Sequence, residues 1–290
     1  MIINRLRKPE NCTAEYRRVR IGKNQTMRIL IVRPQNQKKP APGVLWLHGG
    51  GYATGFPEMA YMSRAIDLVT KCGAVIVCPD YRLSVKAPYP AAIKDCYRAL
   101  LFMKAHCAEF GIRSGQIMVG GESAGGGLTA ALCMLAKDKG TVSIAFQMPL
   151  YPMLDCDDTP SSADNHEKVW NTNRNHMAWK MYLRSLKGRP VPVYASPAKR
   201  RDYSGLPPAY TFVGDIEPFY CETLSYIKAL NDAGVPAEAD IYPNFYHAYD
   251  MMKPDSEMGK QAADTFVQKF REAAEKYFAE QPSVLSSKTP

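Results

Sequence analysis

Short, unbroken apolar runs recur along this chain with helical patterns between them, and no other feature restricts the fold as much. Val44-Leu45-Trp46-Leu47, Ala74-Val75-Ile76-Val77-Cys78 and Gln116-Ile117-Met118-Val119-Gly120 each read as a strand covered on both faces, since a half-solvated strand would alternate apolar with polar residues. Ala91 to Cys107 and Leu128 to Lys137 carry helical periodicity between such runs. Further on, Ile144 to Leu150, Tyr210 to Val213 and Ala237 to Tyr242 extend the strand series, and Phe219 to Ala233 and Glu257 to Ala279 the helical one. Alternation of this kind predicts an α/β fold, a mostly parallel central sheet flanked by helices on both faces. Only Tyr16 to Val32 differs: two alternating segments flank Gly22-Lys23-Asn24, which predicts an antiparallel hairpin at the sheet's edge.

The 290 residues fit a single domain, 1–290, of this class. One segment breaks the alternation. From about 155 to 208 the chain is polar, rich in Asn, Asp and Pro, with an aromatic helix-like stretch from His176 to Leu186. Long insertions in compact domains are usually functional, and this one is expected to cap the site. The tail at about 281–290 is expected to be disordered.

Composition narrows the function. A hydrophobic fraction of 46% and a charged fraction of 22% are those of a soluble globular chain. The formal charge of +9 is scattered, with no basic run longer than Lys199-Arg200-Arg201, so no nucleic-acid partner is expected. No stretch approaches the roughly 20 apolar residues of a membrane span. Met1 to Pro9 has no apolar core of secretory type. A cytoplasmic protein without stable membrane association is the expectation, and a homodimer is compatible with the sequence. The eight cysteines form no C-x-x-C pair and have no histidine at zinc-ligand spacing, so they read as reduced, mostly buried thiols. No metal or organic cofactor is called for.

Two motifs carry chemistry. Gly121-Glu122-Ser123-Ala124-Gly125 matches G-x-S-x-G at a strand-to-helix junction, where small residues let a cramped turn push a serine hydroxyl clear of the backbone. His48-Gly49-Gly50-Gly51-Tyr52 follows the apolar strand ending at Leu47, and consecutive glycines free backbone N–H groups to face a developing oxyanion. No Lys-Ser or Lys-Thr follows either loop, which argues against a nucleotide phosphate site. A nucleophilic serine needs a base, and only His166, His176 and His247 lie beyond Ser123. His247 stands between the last strand and the last helix, where a loop can return it to the nucleophile; the other two fall within the insertion. His48 comes too early and is assigned a structural role in its loop. The acid belongs after the penultimate strand, where Gly214-Asp215-Ile216-Glu217-Pro218 offers both Asp215 and Glu217. Pro218, well placed at the first turn of a helix, favours Glu217 at its mouth.

In these motifs the chain resembles the hormone-sensitive-lipase-like carboxylesterases, the bacterial family IV branch of the α/β-hydrolases. The match runs from about Pro42 to Pro254 and includes Asp80-Tyr81-Arg82-Leu83 and Pro88-Tyr89-Pro90-Ala91-Ala92 in the family's order. The resemblance implies an α/β-hydrolase fold, oxyanion donors at the N–H groups of Gly50, Gly51 and Ala124, and scaffold roles for Asp80 and Arg82. It also implies hydrolysis of small-molecule esters by Ser123, His247 and Glu217; a preference for short acyl chains is expected separately, because the insertion at about 155–208 is polar and the N-terminal part of the roof is short. The family's acid segment usually reads Asp-Pro-Leu, whereas here Glu217-Pro218-Phe219 supplies a glutamate. With HGGG already at residue 48, the N-terminal cap helices usual in the family are expected to be shortened. Two alternatives share the fold: an amidase or peptidase with the same triad, and a non-catalytic small-molecule receptor.

Overall fold

The computed structural model describes residues 6–282. Eight strands form one sheet in the order β1-β2-β4-β3-β5-β6-β7-β8. They are β1 (Cys12–Gly22), β2 (Gln25–Pro34), β3 (Ala41–Leu47), β4 (Val75–Pro79), β5 (Ile112–Glu122), β6 (Phe146–Leu150), β7 (Ala209–Gly214) and β8 (Ala237–Tyr242). The β1–β2 and β2–β4 pairs are antiparallel and the rest parallel, so the hairpin forms one edge of the sheet, as its alternating pattern requires. Eight α-helices complete the described fold: α1 (Arg64–Cys72), α2 (Ala91–Ala105), α3 (Cys107–Phe110), α4 (Ala124–Lys139), α5 (Thr172–Leu183), α6 (Tyr220–Asp232), α7 (Tyr249–Met252) and α8 (Glu257–Lys276).

The period of two along the inner strands divides the core. Val44 and Trp46 of β3 and Ile76 and Cys78 of β4 face the layer that holds α1 and α8. Leu45, Leu47, Val75 and Val77 face the opposite layer, with α2 and α4. Both faces are covered, which is why these strands show no polar alternation. Helix α1 went unread in the sequence although its signals are present: Ser63 caps the Ala65 N–H, Gly73 closes the helix at φ 72°, and Ala65, Leu68 and Val69 make a narrow buried stripe.

The segment between β6 and β7 contains α5 and two short 3₁₀ turns. Its composition reads as polar, yet α5 buries Asn175, Ala178, Trp179 and Tyr182, a helical stripe pressed on the body of the domain. Few apolar residues suffice because two of the four, Trp179 and Tyr182, are large aromatics. The basic run ahead of β7 is neutralised locally: Lys199 pairs with Asp155 and Asp157, and Arg200 with Asp138.

Scaffold roles for Arg82 and Asp80 have a structural counterpart. Arg82 grips the buried Asp95 of α2 with two side-chain bonds of 2.8 Å, and Asp80 accepts from Arg28 of β2 at 3.3 Å. Gln281 donates to the Ser143 carbonyl at 2.7 Å and Lys104 to the Pro282 carbonyl at 3.1 Å; the rest of the expected disordered tail, residues 283–290, lies outside the described residues. Among the described residues no helix is long and apolar enough to cross a membrane. All eight cysteines are free.

Phe266 of α8 is wholly buried, with Trp46 edge-on at 6.1 Å and Tyr210 at 6.4 Å. Phe266→Ala should therefore cost about 3–5 kcal/mol by leaving a cavity between helix and sheet. Urea unfolding of the purified variant checks this, and a loss below about 1 kcal/mol would contradict the packing described.

Candidate active site

Four loops leave the carboxyl ends of parallel strands and meet, which is where open α/β sheets build their sites. The first follows β5. Ser123 takes φ 57° and ψ −121°, a strained conformation for a residue with a Cβ, costing on the order of 1–3 kcal/mol. Surrounding bonds hold it there: its N–H donates to the Leu150 carbonyl, and its own carbonyl accepts from Gly127 and Met153, each at 3.0 Å. The turn can close only over a glycine, since a Cβ on Gly125 would stand 1.9 Å from the Leu47 carbonyl oxygen.

The second loop follows β3 and lies against that turn; a Cβ on Gly49 would be 3.3 Å from the Ser123 Cβ. The Gly50 carbonyl accepts from the N–H groups of Ala53 and Thr54, both at 3.0 Å, while the Gly50 and Gly51 N–H groups find no acceptor among the described residues. Ala124, first residue of α4, has a free N–H by helix geometry. His48 anchors the loop. Its ring stacks on Tyr81 at 4.2 Å, its Nδ1–H donates to the Gly49 carbonyl at 2.8 Å, and the Tyr81 hydroxyl donates to the His48 carbonyl at 2.7 Å. Burial lowers the His48 pKa to about 4 against the pull of the Gly49 carbonyl, so it stays neutral near pH 7.

The third and fourth loops follow β7 and β8. Ser123 Oγ lies 2.8 Å from His247 Nε2, and His247 Nδ1 lies 2.5 Å from Glu217 Oε2. Glu217 Oε1 accepts from the Gly214 N–H at 3.1 Å. Burial pushes the Glu217 carboxyl above its ordinary range, and the neighbouring imidazole opposes that shift. Asp215, the other candidate acid, points elsewhere: it is exposed and accepts from the Asn244 N–H at 2.7 Å, bracing the His247 loop from outside. His166 and His176 are surface groups paired with Asp164 and Asp158.

Aromatic side chains surround the imidazole. Phe219 and Tyr151 meet it edge-on at 5.0 and 5.2 Å, and Trp170 of the β6–β7 segment lies at 6.0 Å. Trp170 also roofs the glycine loop, since a Cβ on Gly51 would stand 2.5 Å from its Cη2. Phe219 was legible as part of the acid-Pro-apolar segment; Tyr151 and Trp170 reach the site only through tertiary packing. Asp155, Cys156 and Asp157 bring potential metal ligands within 4.8 Å of one another, but the Lys199 ammonium already pairs with both carboxylates.

Set beside known proteins, residues 44–251 match a family model described as alpha/beta hydrolase fold. The chain is 31% identical over 211 residues to "Esterase LipI" of Mycobacterium tuberculosis, covering 72% of this chain and 66%, just under two thirds, of that protein. It is 30% identical over 261 residues to an "Acetyl-hydrolase" of Streptomyces hygroscopicus, covering 88% of this chain and 78% of that one. The structure titled "Bacterial Heroin Esterase" superposes with a TM-score of 0.86 at 30% identity, over 91% of this chain and 85% of the other. The chain belongs to the α/β-hydrolase fold family, in its hormone-sensitive-lipase-like branch.

Proposed function

We propose that this protein is a serine carboxylesterase acting on short-chain acyl esters of small molecules, with Ser123 as nucleophile, His247 as base and Glu217 as its orienting acid. One observation carries the reading: an unbroken line of contacts from the strained serine through both imidazole nitrogens to a buried carboxylate, at 2.8 and 2.5 Å. With the Nδ1 proton donated to Glu217, Nε2 is left to take the Ser123 proton as Oγ attacks the ester carbonyl. The tetrahedral oxyanion falls to the N–H groups of Gly50, Gly51 and Ala124, which the fold leaves free to receive the developing charge. His247 then protonates the leaving alcohol, and water activated by the same imidazole releases the acid. The β6–β7 segment acts as the cap, with Trp170 as its contact to the site. A receptor without catalysis would have no use for the aligned contacts or for the strain at Ser123.

Ser123→Ala should lose several orders of magnitude in kcat on p-nitrophenyl acetate while remaining folded, and a fluorophosphonate should label Ser123 in the wild type. Wild-type rates in the variant, or label elsewhere, would remove Ser123 from its role. Matched anilides run alongside separate esterase from amidase.

Glu217→Gln should lose about 10³ to 10⁴ in kcat, as loss of the orienting acid does in serine-protease triads. That corresponds to about 4 to 5.5 kcal/mol of transition-state stabilisation. Asp215→Asn should stay within about tenfold of wild type, because its carboxylate braces the loop without facing the imidazole. The reverse ranking, with both variants folded, would pass the role to Asp215.

Chain-length preference follows from the Trp170 wall. A longer acyl chain gains about 0.8 kcal/mol per buried CH₂ only where an apolar channel receives it, and the reading takes the indole, packed over Gly51 and beside His247, to close that side of the site. Activity should be greatest from acetyl to butyryl or hexanoyl and fall beyond, and Trp170→Ala should move the optimum to longer chains. A wild-type rate that climbs from acetyl through palmitoyl would overturn the assignment.

A further inference from the structure

Behind the site lies a charged cluster that acyl transfer does not call upon. Arg64, the first residue of α1, is only 6% exposed; its Nε lies 3.1 Å from Asp250 Oδ2 and its Nη1 2.8 Å from Asp67 Oδ2. Asp250 has no exposed surface and sits in α7, three residues after His247. Glu122, the residue before Ser123, is buried within the field of the same guanidinium, with its Oε2 accepting from Trp46 Nε1 at 2.9 Å. Tyr151 fills the corner between them, its ring against His247 and its hydroxyl toward Asp250. A buried ion pair contributes little net stability compared with apolar packing of the same volume, so stability is a weak reason for this one.

We propose that Arg64 is a positioning residue for the base: paired with Asp250, its guanidinium holds the His247 loop in register with α1. The inference rests on the reading of Ser123 and His247 given above. Ala248, next to His247, takes φ 57°, so this loop is not fixed by regular secondary structure at the residue that matters. The anchor removes that freedom.

The charge state agrees. Burial, reinforced by Asp250, raises the Glu122 carboxyl to about 8, against the bonds from Ser63 and Trp46 and the attraction of Arg64. Burial also raises Asp250, and Arg64 is the main opposing influence. Near neutral pH Glu122 is therefore largely protonated and the cluster presents the Arg64–Asp250 pair, while Asp67 is shared with Lys71 at 3.3 Å. The groups that face His247 are then Glu217, Ser123, Tyr151 and, behind Tyr151, Asp250. Removing the Asp250 charge makes protonation of His247 less favourable, which moves the acidic limb of kcat/KM to lower pH.

The test compares Asp250→Asn, Arg64→Met and Arg64→Lys with wild type on p-nitrophenyl acetate, each with its urea midpoint, and His247→Ala as reference. Asp250→Asn and Arg64→Met should lose about 10- to 100-fold in kcat with KM within about twofold, as misplacement of reacting groups by a fraction of an ångström does. Arg64→Lys, which keeps the charge on Asp250, should recover most of the loss. In Asp250→Asn the acidic limb should fall by about half a pH unit or more. A purely structural cluster would lower the midpoint and leave kcat and the limb of the folded enzyme alone. Wild-type kcat and limb in Asp250→Asn, or Arg64→Lys no better than Arg64→Met, overturns the proposal. If Arg64→Met does not fold, the isosteric Asp250→Asn decides; if neither folds, the cluster is structural and the proposal fails. Wild-type activity in His247→Ala would instead sink the reading of the site itself.

Discussion

The backbone at Ser123 is held where it would not rest unaided, and most of the site's architecture can be traced to what holds it. A serine at φ 57° and ψ −121° relaxes unless its neighbours over-determine it. Three hydrogen bonds do so, and two of them come from the stretch just after β6, through the Leu150 carbonyl and the Met153 N–H. The other support is steric. With no side chain at Gly121 or Gly125, the first turn of α4 sits directly on the Leu47 and His48 carbonyls, at distances no Cβ would allow. The Ser123 turn and the glycine loop are thus one packed unit, and the Gly50 and Gly51 N–H groups cannot drift from the Ser123 hydroxyl without opening it.

That dependence explains what the sequence disclosed. Motifs made of glycines are legible because a close approach tolerates no other residue, so Gly49 to Gly51 and Gly121 to Gly125 announced their loops directly. The strands were legible through their two-sided burial. Boundaries were less so: β5 begins at Ile112, ahead of the apolar run at Gln116, because edge pairing with Ala41 recruits polar residues that carry no period. The acid stayed divided between Asp215 and Glu217 on loop position alone. In three dimensions the extra methylene of glutamate lets one carboxylate span from the Gly214 N–H to His247 Nδ1, while the shorter Asp215 turns outward to Asn244. Trp170, Tyr151, Arg64 and Asp250 were silent, because a residue that works by packing on another loop leaves no local pattern.

Polar burial is concentrated under the site. Glu122, Glu217, Asp250 and His247 all have relative exposures of 3% or less. Each such group costs free energy unless paired: Glu217 is hydrogen-bonded between Gly214 and His247, Glu122 accepts from Trp46, and Asp250 is ion-paired with Arg64. Dry surroundings strengthen every one of these interactions and exclude the water that would otherwise reorient the imidazole.

The same logic decides how the β6–β7 segment behaves. A mobile lid would sit on few buried contacts, yet here Tyr182 of α5 stacks on Tyr52 at 4.0 Å and 12°, and its carbonyl accepts from the Tyr89 N–H at 2.8 Å. Tyr52 follows the last glycine of the oxyanion loop and donates its hydroxyl to the Met153 carbonyl at 3.0 Å, on the very stretch whose N–H holds Ser123. Arg184, just past α5, adds bonds to the carbonyls of Ser84 and Val85. Through Tyr52 the inserted segment, the glycine loop and the strap under the nucleophile share one buried pillar. Lifting α5 would therefore expose several aromatic rings and loosen the glycine loop at once, which makes the segment a fixed wall. Under the proposed function, its aromatic face would select what enters by shape, without a closing motion.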